Sequence, residues 1–296
     1  MAMDDAARCR MPSEAPRKIG KTIKTVLAST GFRRMRRRDH GTFGGKTLWA
    51  VIAHQRCGTN FFESMLRTIP GVHHFPEILY PAFFDGSFYA YYAELIRKEP
   101  RYLLLTDFTL VDAVFRGYFE HQVRAIRHDF IGFDLKIDQL DCYPRLYHSL
   151  KAWGFRIIHL RRENRLRRVI SHLVMLRRLK TGREDIHRTP PKLIRMQVDC
   201  ADVVRQIKED MRGDARVESR LGRGNRRYLQ LSYETLVHER RQTLGKATGF
   251  LGLDADVAGI EPDTVQQSRW PLEEVVTNYA ELRRALKRSN LHYDLD

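Results

Sequence analysis

Short apolar runs alternate with segments of helical spacing along most of the chain. Four of the runs are short enough to be buried strands, and they span residues 48–53, 130–137, 154–160 and 228–233. Apolar residues recur at helical spacing elsewhere, most clearly over 88–99, 108–128, 165–176 and 196–212. Strands that alternate with helices predict an α/β fold with a mostly parallel sheet. The segment 69–79 contains two prolines and a glycine, so it is predicted to be a connection.

The first strand leads into a polar turn, residues 54–60, with the sequence His-Gln-Arg-Cys-Gly-Thr-Asn. A helix is predicted directly after it, and the N–H groups in the first turn of a helix have no internal partner. Such N–H groups bind anions, and the helix dipole adds positive charge there. Gly58 allows a ligand to approach the backbone, and Arg56 adds a cation. The turn therefore predicts a phosphate or sulfate site, although an ordinary strand-to-helix connection fits the same pattern.

A second basic turn follows the strand at 154–160. It has the sequence Arg161-Arg162-Glu163-Asn164, and Asn164 is a suitable N-cap for the helix after it. Because both turns follow strands of one parallel sheet, we expect them at the same carboxyl edge, where open α/β folds bind ligands. Two such turns can hold a ligand with two separated anionic groups.

Composition narrows the possible ligands without choosing among them. The 296 residues include 52 Lys and Arg against 36 Asp and Glu, a formal net charge of +16, which favours phosphate- and sulfate-bearing ligands, polyanions or anionic membranes. The four cysteines form no CxxC pair, so no metal site is expected and a reducing compartment is favoured. With no signal-peptide pattern, the protein is predicted to be cytoplasmic.

The N-terminal 46 residues differ from the rest of the chain. Residues 1–46 are predicted to be a basic, partly disordered extension, and residues 47–296 are predicted to be the functional domain. Apolar residues at helical spacing within 19–27 could let the extension contact an anionic membrane as a peripheral helix. A solvated basic helix fits the same pattern.

Four motifs together resemble one family. Residues 55–61 resemble the 5′-phosphosulfate loop of the PAPS-dependent sulfotransferases, and residues 157–164 with Ser171 resemble the family's 3′-phosphate motif. The stretches 231–236 and 250–253 are similar to two later motifs of the family, in the same order. The Pro76-Glu77 pair is similar to the bacterial carbohydrate branch that contains trehalose 2-sulfotransferase and the nodulation-factor sulfotransferase.

The resemblance implies a P-loop-like three-layer fold with helical lid segments. It also implies transfer of a sulfuryl group from the co-substrate PAPS to a hydroxyl of a carbohydrate or glycolipid-like acceptor, without a metal. The acceptor is expected near residues 78–128 and 181–195. The resemblance leaves open whether the protein forms a homodimer. The nucleotide-binding residues that the resemblance implies are Arg56, Cys57, Gly58, Thr59, Asn60, Phe61, Arg162, Ser171, Tyr233 and Arg269.

Three positions depart from the family pattern. Cys57 stands where a hydroxyl residue is usual, which removes one donor. Glu163 separates Asn164 from the arginine that should precede it, so either Arg161 or Arg162 is the candidate for the 3′-phosphate. Asp134 occupies the usual position of a lysine. Lys136, two residues later, would share its strand face and could substitute for that lysine.

The resemblance implies Glu77 as the general base and gives Arg56 a catalytic as well as a binding role. His54, His73 and His74 are alternative bases, and a reactive thiol at Cys57 is a further, weaker option. Two other classes of protein fit parts of the sequence. One is a basic protein that binds RNA or another polyanion, although no nucleic-acid-binding motif supports it. The other is a nucleotide kinase, although the Walker A lysine is missing.

Overall fold

The computed structural model describes residues 43–80, 84, 86–104, 110–180, 192–264 and 270–291. Within them, five parallel strands form one sheet in the order β2-β3-β1-β4-β5. The strands are β1 (Thr47–Ala53), β2 (Val72–Phe75), β3 (Phe130–Lys136), β4 (Arg156–Arg161) and β5 (Tyr228–Ser232). The predicted α/β class with a mostly parallel sheet is confirmed.

Strand β2 corrects the prediction for residues 69–79. That segment was expected to be a connection, but Val72–Phe75 is an edge strand paired with β3. Only four residues long and half polar, it alternates buried and partly exposed positions, so it lacks the continuous apolar run of a central strand. Pairing with β3, rather than local sequence, makes this segment extended.

Helices connect and cover the strands. In chain order they are α1 (Thr59–Leu66), α2 (Phe88–Lys98), α3 (Arg116–Ala125), α4 (Ile137–Cys142), α5 (Leu146–Ala152), α6 (Arg165–Lys180), α7 (Cys200–Val217), α8 (Tyr233–His238), α9 (Arg240–Leu251), α10 (Leu272–Val275) and α11 (Tyr279–Arg288). Short 3-10 or π-helical segments lie at Pro100–Leu104, Leu110–Phe115 and Glu218–Gly222. No helix among the described residues has both the length and the apolarity that a membrane crossing requires.

The sheet is buried on both faces, which makes the fold three-layered. Residues 48, 50 and 52 of β1 pack into one apolar cluster, and residues 49, 51 and 53 pack into a second on the opposite face. The first cluster includes side chains of α2 to α5, and the second includes side chains of α1, α8 and α9. A third cluster joins α6, α7, α10 and α11 beside the sheet.

Most of the predicted extension, residues 1–42, lies outside the described residues. Its last positions pack on the domain: the Phe43 ring meets the rings of Trp153 and Phe155 edge-on, at 6.4 and 6.0 Å between centroids. The Lys46 ammonium donates to the carbonyls of Val123 and Ile126. Phe43 and Lys46, which the sequence assigns to the extension, therefore pack on the domain.

Candidate active site

The first turn between β1 and α1 is shaped by two residues with left-handed backbone conformations. Arg56 has a φ of 67°, and Gly58, the N-cap of α1, has a φ of 87°. Together they reverse the chain so that the start of α1 lies at the carboxyl edge of the sheet. A Cβ at Gly58 would lie 2.3 Å from Cδ2 of Tyr233, so only glycine fits there without a shift of that ring. This is the geometry required to direct N–H groups at an anion.

The second turn and the helix α6 that follows it support the first turn through hydrogen bonds. Arg162 donates to the carbonyl of Arg56 at 3.1 Å, and Arg168 donates to the carbonyl of Gln55 at 3.4 Å. The Arg56 side chain reaches in the other direction and donates to Ser171 Oγ at 3.3 Å. The structure thus brings the predicted residues of both turns together, but Ser171 is in contact with Arg56 rather than with Arg162.

Arg161 and Arg162 have different surroundings. Arg162 is 7% exposed, and its guanidinium lies 4.6 Å from the centroid of the Tyr233 ring. Desolvation lowers the pKa of Arg162, and the neighbouring Tyr233, Cys57 and Glu234 offset this lowering only in part. Arg161 points to α7, where its Nε lies 3.3 Å from Asp214. Of the two candidates, Arg162 is therefore the one beside the first turn.

Strand β5 completes this edge of the sheet. Tyr233 follows it, and its ring packs edge-on against Phe61 with centroids 6.4 Å apart. Glu234 accepts from the backbone N–H groups of Glu163 and Asn164 at 3.0 and 3.2 Å. The carboxylate of Glu234 therefore fixes the second turn, a role that the sequence did not reveal because its partners are backbone atoms.

Lys136 ends β3 opposite Ala53 at the end of β1. Its buried ammonium donates to Thr59 Oγ1 at 2.7 Å and to Asp134 Oδ2 at 2.6 Å. The expectation that residues 134 and 136 share a strand face is confirmed by this contact. Burial alone would lower the pKa of Lys136, but the carboxylates of Asp134, Glu77 and Glu63 outweigh it and raise that pKa.

Glu77 lies beside the same lysine. One carboxylate oxygen accepts from Gln55 Nε2 at 3.2 Å, and the other lies 3.7 Å from the Lys136 ammonium. Its backbone φ of 26° is unusual for a non-glycine residue, and its side chain is 27% exposed. The carboxylate is thus anchored between the first turn and Lys136 while it still reaches solvent.

A cavity opens between α6 and the segment that leads into α10. Arg56 and Ser171 line one part, and Arg167, Arg178 and Lys192 add further cations. The remaining lining residues are Ile170, Val174, Ile194, Trp270, Leu272 and Val275. The sequence contained a signal for the α6 positions, because residues 167, 171, 174 and 178 fall on one helical face. Arg269, expected at this site, lies outside the described residues.

The chain is similar to known proteins in sequence and in structure. No family model matches the chain. The chain is 24% identical to Nodulation protein H of Rhizobium meliloti strain 1021 over 238 residues, which are 79% of this chain and 89% of that protein.

Two solved structures are also similar. A sulfotransferase from Alicyclobacillus acidocaldarius is 14% identical, with 84% of this chain and 97% of that chain covered and a TM-score of 0.43. A mouse sulfotransferase complexed with PAP is 14% identical, with 73% of this chain and 63% of that chain covered and a TM-score of 0.42. Both are too distant to carry an argument about function. The chain resembles the sulfotransferases. The resemblance predicted from the four motifs is therefore confirmed.

The three histidines named as alternative bases are more enclosed by protein, or more strongly desolvated, than a general base would need to be. His54 is held against α7, 3.0 Å from the carbonyl of Asp210, and burial lowers its pKa to about 4. His74 is buried 3.2 Å from Glu63, and burial lowers its pKa to about 3. His73 packs edge-on against Phe75, and desolvation also lowers its pKa.

Cys57 stands where the loop that the first turn resembles usually has a hydroxyl residue. Its side chain is 2% exposed, and burial raises the pKa of the thiol to about 12. A neutral buried thiol is a poor nucleophile, so Cys57 acts as a small apolar residue under the turn.

A buried network of charged residues lies beneath both turns and was not predicted from the sequence. Asp214 of α7 accepts from Arg165 at 2.9 Å and lies 3.2 Å from His159 Nε2. Asp210, one helical turn earlier, lies 2.6 Å from the Nε of Arg168. Because Arg168 also binds the carbonyl of Gln55, α7 supports the first turn from below. The i, i+4 spacing of the two aspartates was the available signal.

Proposed function

We propose that this protein is a sulfotransferase that moves a sulfuryl group from PAPS to a hydroxyl of a carbohydrate or glycolipid-like acceptor. The observation that carries the proposal is the contact between the two arginine-bearing turns at the carboxyl edge of the sheet. Arg162 supports the first turn, and Arg56 spans from that turn to Ser171. Similarity to Nodulation protein H over most of the chain supports the same reading.

The donor would be held by the residues of both turns. The N–H groups of Gly58, Thr59 and Asn60 at the start of α1, together with Arg56, suit a 5′-phosphosulfate. The cavity next to Arg56 and Ser171 carries the cations that suit a 3′-phosphate. In this arrangement Arg162 contributes mainly by holding the first turn, with Cys57 beneath it and Phe61 and Tyr233 beside it.

The sulfuryl group of PAPS would lie near Lys136 and Glu77. Glu77 would accept the proton of the acceptor hydroxyl while the oxygen forms its bond to sulfur in line with the bond that breaks. Lys136 and Arg56 would stabilise the charge that develops on the leaving phosphate oxygen. Lys136 would also hold the Glu77 carboxylate directed at the site, because the ammonium and the carboxylate lie 3.7 Å apart.

Nucleotide binding and turnover test different parts of this proposal. Adenosine 3′,5′-bisphosphate should raise the melting temperature of the wild-type protein, because a ligand that binds only the native state stabilises it. Arg56→Ala should abolish that rise, whereas Arg97→Ala, at a 75% exposed side chain on α2, should leave it unchanged.

Glu77→Gln should keep nucleotide binding but reduce turnover with labelled PAPS by about 10²–10⁴-fold, the usual contribution of a general base. Glu94→Gln, at a 57% exposed side chain, is the matched control for loss of a carboxylate. Full activity of Glu77→Gln would place the base elsewhere. No melting shift, together with tight and salt-sensitive RNA binding, would favour the polyanion-binding alternative instead.

A further inference from the structure

Two carboxyl groups are buried together beneath the first turn. Glu63 lies on α1 and is 1% exposed, and Asp134 lies on β3 and is 0% exposed. The two side chains are close enough to form a hydrogen bond with each other. Two ionised carboxylates at that distance without water would repel each other strongly, so the pair requires an explanation.

One oxygen of each carboxyl group lacks a hydrogen-bond donor in the part of the chain that the structure describes. Among the described residues, neither Glu63 Oε1 nor Asp134 Oδ1 has a hydrogen-bond donor, and both atoms are inaccessible to solvent. An unpartnered buried oxygen is costly, and two are costlier. A single proton on one carboxyl would convert that group into a hydrogen-bond donor to the other.

The surrounding charges are consistent with one negative charge on the pair rather than two. Lys136 donates to Asp134 at 2.6 Å, and Glu77 already places a second carboxylate 3.7 Å from the same ammonium. His74 Nδ1 faces Glu63 at 3.2 Å and stays neutral, because burial keeps its pKa low. Arg67 lies 3.2 Å from Glu63 on a side chain that is 49% exposed, so solvent screens its charge.

We propose that Glu63 and Asp134 share a single proton, and that this acid pair positions Lys136 against Thr59 at the start of α1. Asp134 supplies the negative charge that fixes the ammonium, and protonated Glu63 supplies the hydrogen bond that fixes Asp134. Loss of the proton puts a second negative charge under the N-terminus of α1, where positive potential is needed to bind an anion. The coupling to donor binding rests on the proposed function, whereas the shared proton does not.

Burial raises the pKa of Glu63 to about 7 and that of Asp134 to about 6, which gives the pH window for a test. A carboxyl group with a raised pKa in the native state stabilises the fold most at low pH. That stability is lost as the pH rises from the ordinary value of 4.5 through the native value of about 7. Glu63→Gln imitates the protonated acid, because its amide can donate to Asp134 and accept from Arg67 at any pH.

The first experiment tests whether Glu63 and Asp134 share a proton in the native protein. Urea unfolding of the wild type and Glu63→Gln between pH 5 and pH 8 should show that the wild type loses stability relative to the variant as the pH rises. Glu94→Gln should run parallel to the wild type, because Glu94 is exposed. As a second measurement, infrared spectra of protein carrying ¹³C-carboxyl glutamate should show, at pH 6, a protonated glutamic acid band in the wild type that is weaker in Glu63→Gln and that is lost from the wild type by pH 8. Parallel unfolding profiles, or equal bands in the wild type and Glu63→Gln at pH 6, would overturn the shared proton.

The second experiment measures the coupling. The affinity of the wild type for adenosine 3′,5′-bisphosphate should fall by about two- to fivefold across pH 6–8 beyond the fall seen in Glu63→Gln, as expected for one charge near a helix N-terminus. Equal pH dependence in both proteins would show that the pair does not position the site. A wild type that binds no nucleotide at any pH would refute the proposed function and the coupling, whereas the unfolding profiles would still decide the shared proton.

Discussion

Gly58 offers the most direct test of the geometry of the first turn. Its φ is +87°, and a Cβ built on it would lie 2.3 Å from Cδ2 and 2.7 Å from Cε2 of Tyr233. The same ring lies beside the guanidinium of Arg162. Gly58→Ala therefore strains the backbone and displaces an aromatic ring that is wedged between the two turns.

The two effects can be estimated separately. A left-handed conformation costs a non-glycine residue roughly 1–2 kcal/mol. Forcing an additional methyl group into a packed site costs about 1–3 kcal/mol, which here includes the weakened contact between Tyr233 and Arg162. We expect Gly58→Ala to lower the free energy of unfolding by about 2–5 kcal/mol, the sum of these two ranges.

Two other glycines serve as matched controls. Gly71 has a φ of +81° and nothing within 4 Å of an added Cβ, so Gly71→Ala carries the strain without the clash. It should cost roughly 1–2 kcal/mol. Gly245 lies within α9 and has open space around an added Cβ, so Gly245→Ala should be neutral or stabilise the protein by about 0.5–1 kcal/mol.

Urea unfolding measures these differences, and the melting shift with adenosine 3′,5′-bisphosphate measures the anion site in the same proteins. Gly58→Ala should lose the melting shift, whereas both controls should keep it. In a Tyr233→Ala background, Gly58→Ala should cost no more than Gly71→Ala, because the clash is gone. The reasoning fails if Gly58→Ala is as stable as Gly71→Ala in the wild-type background and still responds to the nucleotide.

Two further predictions concern buried groups beneath the turns. Because Cys57 is buried and its pKa is raised to about 12, iodoacetamide at pH 8 should leave it unmodified in the native protein and alkylate it in urea, as peptide mass spectrometry would show. Rapid native alkylation would contradict the packing of the turn. Burial acts to raise the pKa of Asp214, but the hydrogen bond from His159 and the charges around it outweigh burial and lower the pKa. Its stabilisation is therefore present above pH 3.8 and lost as the pH falls further. Asp214→Ala should cost about 3–5 kcal/mol at pH 7 in urea unfolding, because it removes the carboxylate that Arg161, Arg165 and His159 face. A smaller loss, or the same acid sensitivity as the wild type, would count against the network.

Strand β5 was predicted from its apolar run although it lies at an edge of the sheet and has one buried residue. Strands β1, β3 and β4 were predicted because each is buried on both faces of the sheet. Such burial requires consecutive apolar residues, and that requirement is visible in the sequence. Strand β2 was missed because an edge position needs only alternate buried residues. The two arginine turns were likewise predictable from their place after apolar strands.

The sequence alone determined four of the five strands that the structure describes, that both basic turns follow strands, and that a helix follows the first turn. These features depend on hydrophobic periodicity and on local backbone conformation, which adjacent residues control. Only the tertiary structure decided that Arg56 reaches Ser171, that Arg162 holds the backbone of the first turn, and that Lys136 stands between Asp134, Thr59 and Glu77. Those contacts join residues that are far apart in the chain, and the alignment of strand ends in the sheet brings them together. The burial that sets the charge of Glu63 and Asp134 arises in the same way, because it depends on how α1 packs on β2 and β3.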